Sequence, residues 1–273
     1  MGISMAIIQL MERYGLLAAG RNVLDLGSSN LYGATAEDIT AFVRRHNPNP
    51  RADLDPWAQR LATGSGADAS GQALNKSFVG EMLEASGMGY DAIDIAIGHK
   101  TTIVDLNTKR LPEHMIGAYD TVLNCGTSEH ILNQMNVFAA LHAATRKGGM
   151  IMHLVPSMGF VDHGYFCYTS RFFFDLAGYN KYEVVDMWYD GPSGSENVFA
   201  TARQYQTYFP ALTKRLDMIG RVERETVLNG TKIPTISIGL VFRKKNSDPF
   251  MGTVETSTSV GSVPSDVLVS YQA

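Results

Sequence analysis

The sequence predicts an α/β protein: a doubly wound, mainly parallel seven-stranded sheet with an antiparallel last strand and helices on both faces. Three observations lead there. Short apolar runs alternate with stretches of helical spacing from Asn22 to Val155, the order that makes parallel strands joined by crossover helices. The first run, Val23, Leu24 and Leu26, is apolar enough for a strand covered on both faces. Several runs stop at a glycine or an acid, as at Leu26-Gly27, Asp94-Ile95 and Asp105-Leu106, and the carboxyl edge of a parallel sheet is where ligands bind.

Taken in order, Met5–Leu17 carries Ile7, Ile8, Leu10, Met11 and Tyr14 near helical spacing and predicts an amphipathic helix. Asn22–Leu26 is the first strand. Ala36–Arg45 is a helix, stopped by His46-Asn47-Pro48-Asn49-Pro50. Asp53–Ala62 and Asn75–Ser86 are further helices around a small, polar loop at Thr63–Gly71. Tyr90–Ile95, Thr101–Leu106 and Tyr119–Leu123 are the second to fourth strands. Ser128–Arg146 is read as one helix, capped by Thr127 or Ser128, with Arg146 and Lys147 in its last turn and Gly148-Gly149 after it. Met150–Val155 is the fifth strand, stopped by Pro156. Thr169–Ala177 is an aromatic helix, Tyr182–Trp188 the sixth strand, Ala202–Ile219 a helix and Ile233–Arg243 the last strand. This gives one domain over residues 1–245, with an N-terminal helix, a 31–89 crossover that partly covers the crevice as a lid, and a 191–231 insertion. Residues 246–273, rich in Ser, Thr, Gly and Val, form a mobile or partner-packing tail.

Composition narrows the function. The 273 residues are 45% hydrophobic and 18% charged, with a net charge of −4 and no run of like charge. That disfavours nucleic acid, whose phosphates ask for a basic stripe. Cys125 and Cys167 are the only cysteines, so the chain has no disulfide framework and no zinc-type spacing. No stretch is long enough to span a bilayer, and Met1–Leu10 lacks the basic start of a signal peptide, which points to a cytoplasmic protein without membrane contact. Tyr205, Tyr208 and Phe209 in the insertion suit either a substrate lid or a homodimer surface.

Asp25, Asp94 and Asp105 all fall at or near strand ends on one predicted crevice. A carboxylate past the second strand suits the two hydroxyls of a ribose, and an acid or its flanking backbone past the third suits an exocyclic amine. The plainer reading makes each a turn residue, but three together favour the ligand.

Asn22-Val-Leu-Asp-Leu-Gly-Ser-Ser-Asn30 resembles the first motif of class I S-adenosylmethionine-dependent methyltransferases. Asp94 matches that family's ribose-binding acid and Asp105 its adenine-side acid. Tyr119-Asp-Thr-Val-Leu-Asn124 resembles its fourth-strand motif, and Lys147-Gly-Gly-Met150 the turn before its fifth strand. The resemblance spans roughly residues 20–245. It implies S-adenosylmethionine as cofactor, methyl transfer to a small-molecule acceptor at O, N or C, and a cofactor site of Asp25, Gly27, Ser28, Ser29, Asn30, Asp94, Ile95, Asp105, Leu106, Asn124, Cys125 and Gly126. A non-catalytic nucleoside-binding or scaffold member of the same fold is the alternative. The chain departs from the family in its long crossover and in its turn, where Ser28, Ser29 and Asn30 replace the second glycine region. The same turn fails the Gly-x-Gly-x-x-Gly that a pyrophosphate needs.

Glu129-His130 resembles the Glu-His pair after the fourth strand of small-molecule O-methyltransferases of the ubiquinone type. His130 is read either as a base or, with Glu129, as a metal ligand; the plainer reading has Glu129 at a helix start and His130 packed on the cofactor. His163, beside Asp162, is a second candidate base, with Phe166 and Tyr168 as pocket walls. Glu129, His130 and His163 match no known short metal spacing, and no metal is expected from sequence.

Overall fold

Val23 and Leu24 point to opposite faces of one strand, and each joins a different apolar cluster. The computed structural model describes residues 2–160, 163–191, 194–197, 226–228, 231–233, 235–253 and 264–271. Its elements in chain order begin β1 (Gly2–Ser4), α1 (Met5–Arg13), β2 (Asn22–Leu26), β3 (Asn30–Tyr32), α2 (Ala36–His46), α3 (Leu54–Gly64) and α4 (Val79–Ala85). There follow β4 (Gly89–Asp94), β5 (Thr101–Ile103), β6 (Tyr119–Cys125), α5 (Gln134–Ala144), β7 (Thr145–Met158), α6 (Ser170–Asn180), β8 (Glu183–Gly191) and β9 (Gly194–Asn197). Last come β10 (Thr226–Leu228), β11 (Thr231–Ile233), β12 (Ile236–Arg243) and α7 (Ser265–Val269).

The main sheet runs β5-β4-β2-β6-β7-β12-β8-β9. β5, β4, β2, β6 and β7 are parallel, and β12 is antiparallel to both β7 and β8. This is the doubly wound sheet the sequence predicts, lengthened by the short β9 on the edge of β8. Helices α1 to α4 cover one face, with Ile8, Phe42, Trp57 and Met82 buried against Val23, Tyr90 and Met152. Helices α5 and α6 cover the other, with Phe138, Leu141 and Phe173 against Leu24, Val122 and Ile151. Covering both faces is what makes continuous apolar strands stable.

Five expectations change. The 31–89 crossover is a packed layer: of its residues only Tyr32 lines the cavity described below. The predicted helix Ser128–Arg146 is split into a 3-10 turn at Ser128–His130 and α5. Asn107 Oδ1 accepts from the backbone N–H groups of Leu132 and Asn133, and Asn133 then caps α5 by accepting from Asn136 N. That competition for backbone donors delays the helix. Arg146 and Lys147 fall in β7 instead, where Arg146 pairs with Asp120. Pro156 lies inside β7 rather than ending it: β6 has stopped pairing at Leu154, and Pro156 falls where β12 shifts register between Ile236 and Ser237, a bulge that tolerates a proline.

Asn246–Thr253, read from sequence as the start of a tail, lies on the body: Phe250 is buried and Asn180 holds Met251 through both backbone groups. The predicted helix 202–219, Asp162, Tyr205, Tyr208 and Phe209 lie outside the described residues. No helix among the described residues is long and apolar enough to cross a membrane.

Candidate functional site

The carboxyl ends of β2, β4, β6, β7 and β8 share one edge, and a cavity of about 1060 Å³ opens along it. Strand order lays its wall out as Asp105 beyond β5, Asp94 on β4, Gly27 after β2, Cys125 and Gly126 at β6, Pro156 on β7 and Asp190 on β8. The crevice beyond the carboxyl ends is where an open parallel sheet binds ligands.

Gly27 lies at φ +109° and donates its N–H to Ile93 O. A Cβ there would meet Thr127 Oγ1 at 2.1 Å. Thr127 Oγ1 in turn donates to Leu26 O at 2.7 Å, so the end of β2 is tied to the turn after β6. Gly126 turns at φ +82° opposite. The two bends leave bare backbone facing the cavity between them.

Asp25 does not line this cavity. It is fully buried and accepts from Ser29 N at 2.7 Å, Ser29 Oγ at 3.1 Å and Tyr90 Oη at 2.9 Å. Burial pushes its carboxyl up despite these donors. Ser28, Ser29 and Asn30, expected on the ligand, turn inward as well: Ser28 and Ser29 are buried, and Asn30 pairs with Gly2 in the β1–β3 ribbon. Asn124 is spent on the core, donating to Ser128 Oγ and meeting His153 Nδ1 at 2.9 Å. None of these five lines the cavity: Asp25, Ser28, Ser29 and Asn124 are buried, and the side chains of Asp25, Ser29 and Asn124 bond to neighbours inside the fold. Gly27, Asp94, Ile95, Asp105, Leu106, Cys125 and Gly126 do line it. Asp94 Oδ1 accepts from Ala96 N and Asp105 Oδ1 from Asn107 N, which fixes both carboxylates at the rim. Ile95 is 72% exposed beside them while Leu106 is buried.

Glu129, His130 and His163 gather at the same cavity. Glu129 is fully buried, and neither carboxylate oxygen has a hydrogen-bond partner among the described residues. Tyr165 N and Phe166 N both donate to Glu129 O, folding the 163–166 loop over it. Gly164 allows this, since a Cβ there would sit 2.8 Å from Glu129 Cγ. Burial raises the Glu129 carboxyl to about 7. His163 Nε2 lies 3.6 Å and His130 Nε2 4.0 Å from Glu129 Oε1, and the two imidazoles meet edge-on at 4.8 Å. Burial holds the His130 imidazole below its ordinary value. Of the predicted walls, Tyr168 instead joins the core, donating to Gln134 Oε1 at 2.7 Å with Ser128 Oγ at 3.1 Å on its other side.

The sequence reading missed the β1 strand, whose Gly2 and Ser4 line the cavity with Tyr32, and it missed Asp190. Three residues of β1 carry too little periodicity to be read. Asp190 carried the same signal as Asp94, an acid at the carboxyl end of a strand before Gly191-Pro192. The lining holds four carboxylates, Asp94, Asp105, Glu129 and Asp190, and no lysine or arginine among the described residues.

No protein-family model matches the chain, and no curated protein does. Among solved structures, a protein of Bacillus halodurans C-125 assigned as a methyltransferase is similar over 88% of this chain and 99% of its own, at 12% identity and a TM-score of 0.45. Coclaurine N-methyltransferase bound to N-methylheliamine and S-adenosylhomocysteine is similar over 88% of this chain and 70% of its own, at 13% identity and a TM-score of 0.45. The [4+2]-cyclase SpnF is similar over 89% and 81%, at 9% identity and a TM-score of 0.43. These likenesses concern the course of the chain and leave its chemistry to the site.

Proposed function

We propose that the protein is an S-adenosylmethionine-dependent methyltransferase acting on a small-molecule acceptor. The observation that carries this is the charge of the cavity rim: Asp94 and Asp105 stand at it, and no lysine or arginine is among the described lining residues. Such a wall attracts a cationic ligand and repels phosphate. A pyrophosphate cofactor would also want a helix N-terminus at the first bend. Here the chain enters β3 after Gly27, and α2 starts only at Ala36, where Thr35 and Asp38 close its end in a capping box. A nucleoside bearing a sulfonium and an amine suits the site better than a dinucleotide.

Asp94 would hold the ribose hydroxyls, and Asp105 with Leu106 the adenine side, between Ile95 and the buried apolar wall. The bare backbone at Gly27 and Gly126 would admit the amino-acid end. When bound, the cofactor supplies a methyl group already made electrophilic by its sulfonium. The chain then has to align the acceptor in line with that methyl and take its proton. Glu129, His130 and His163 are the groups that would receive it, with the 163–166 loop folded over Glu129.

Calorimetric titration with S-adenosylhomocysteine, and with NADH in parallel, tests the reading. Binding of the first and none of the second is expected, with Asp94→Ala weakening it about tenfold or more. Tighter binding of NADH overturns it. Binding without methyl release across an acceptor panel would instead favour a non-catalytic nucleoside-binding protein.

A further inference from the structure

The groups of Glu129, His130 and His163 converge on one point of the cavity wall. One ligand atom from each lies within 4.8 Å of the others. Ligands about 2.0–2.2 Å from a shared ion stand about 3–3.5 Å apart. The separations of 3.6 and 4.0 Å from Glu129 Oε1 therefore need only small side-chain rotations. The second, independent observation is Glu129 itself: a fully buried carboxylate whose two oxygens have no hydrogen-bond partner among the described residues. As a carboxylate, that group is costly to bury unless a cation stands against it.

We infer that Glu129, His130 and His163 bind one divalent transition-metal ion that presents an open coordination position to the cavity. Two imidazoles and one carboxylate suit zinc, iron(II) or manganese, whereas magnesium and calcium prefer oxygen alone. Three protein ligands with a free position are the pattern of reactive rather than structural sites. The ligands come from two loops, the turn after β6 and the 163–166 loop, which Tyr165 N and Phe166 N pin to Glu129 O. The ion would thus also fasten the loop over the pocket.

The consequence for chemistry rests on the methyl-transfer reading; the binding of the ion does not. With the ion bound, these three side chains serve as its ligands rather than as bases, and an acceptor hydroxyl on the open position gives up its proton to solvent more readily. Its oxygen lone pair then forms the new C–O bond as the C–S bond breaks, and the electron pair returns to sulfur as a neutral thioether. The acceptors favoured are accordingly hydroxyls, above all phenols, rather than amines.

The test uses the full-length chain without a histidine tag, stripped with chelator and titrated with Co²⁺ and then Zn²⁺. One equivalent of Co²⁺ with ligand-field absorption is expected. Glu129→Gln and His163→Ala should each weaken binding about tenfold or more, while His114→Ala, on an exposed turn, leaves it unchanged. Circular dichroism checks each variant, with His130→Gln as a further one should Glu129→Gln fail to fold. Binding below one equivalent, or binding that all variants retain, overturns the inference. Homocysteine-nucleoside titration of the same samples separates the two readings: a chain that binds S-adenosylhomocysteine but no metal sinks only this one.

Discussion

A side chain at position 27 meets two obstacles at once. Its backbone sits at φ +109°, and its Cβ would fall 2.1 Å from Thr127 Oγ1. Gly27→Ala should therefore lower stability by about 1–3 kcal/mol and weaken nucleoside binding with it. Thr127→Ala removes the clash but also the bond to Leu26 O, costing about 1 kcal/mol alone. In a double-mutant cycle followed by urea melts, the pair should cost less than the two single changes summed. Additivity would mean that the bend is not held by this contact. Asp25 makes a second residue-level case. The sequence places it beside the glycine, where a ligand role is natural, yet its three donors come from Ser29 and Tyr90. Asp25→Asn puts an N–H₂ among groups that are themselves donors. We expect it to cost about 1–3 kcal/mol in stability, with nucleoside affinity per folded molecule kept, which calorimetry on the folded fraction reads out.

At the scale of elements, β7 and α5 bury two histidines. His153 is wholly buried and its imidazole is held down to about 3 by burial; His142 is held at about 4 by burial and by Lys244. Both are neutral in the fold and charge readily once unfolded, so the unfolded chain binds more protons below about pH 6.5. Stability should be full above pH 6.5 and fall as pH drops towards 4 and 3, by up to about 1.4 kcal/mol per pH unit for each histidine. Glu129, raised to about 7, works the other way between its ordinary value and 7. Urea midpoints from pH 7 to 4 measure the sum, and His142→Gln should flatten the slope; an unchanged slope rejects the assignment. These elements also show what was legible beforehand. The strands were, because Val23-Leu24 and Val122-Leu123 announce two covered faces. The break between His130 and Gln134 was not, since it depends on Asn107 from another loop. The cavity edge was legible through Gly27, Asp94 and Asp105, but the facing of Ser29 and Asn124 depends on partners far along the chain. The gathering of His163 with Glu129 was invisible to spacing because the two lie on separate loops.

Across the whole molecule, the two helical layers are not closed by the sheet and its crossovers alone. The segment after β12 completes the layer of α5 and α6. Phe250 is 5% exposed and meets the ring of His142, while His142 Nε2 lies 2.8 Å from Asp248 O. Asn180 donates to Met251 O and accepts from Met251 N. Lys244, buried at the end of β12, donates to His142 O and Thr145 O at the junction of α5 and β7. Each contact joins this segment to the layer that supports β6 and β7, and hence the turns carrying Glu129 and His163. Phe250→Ala should therefore cost about 3–5 kcal/mol in stability. It should also let water reach His142, so that its imidazole moves back up towards its ordinary value. Proton NMR of the histidine ring during titration reads the second effect separately from the first. A ring that keeps its low value in the folded variant would mean that α5 and Lys244, rather than the Phe250 segment, keep His142 neutral.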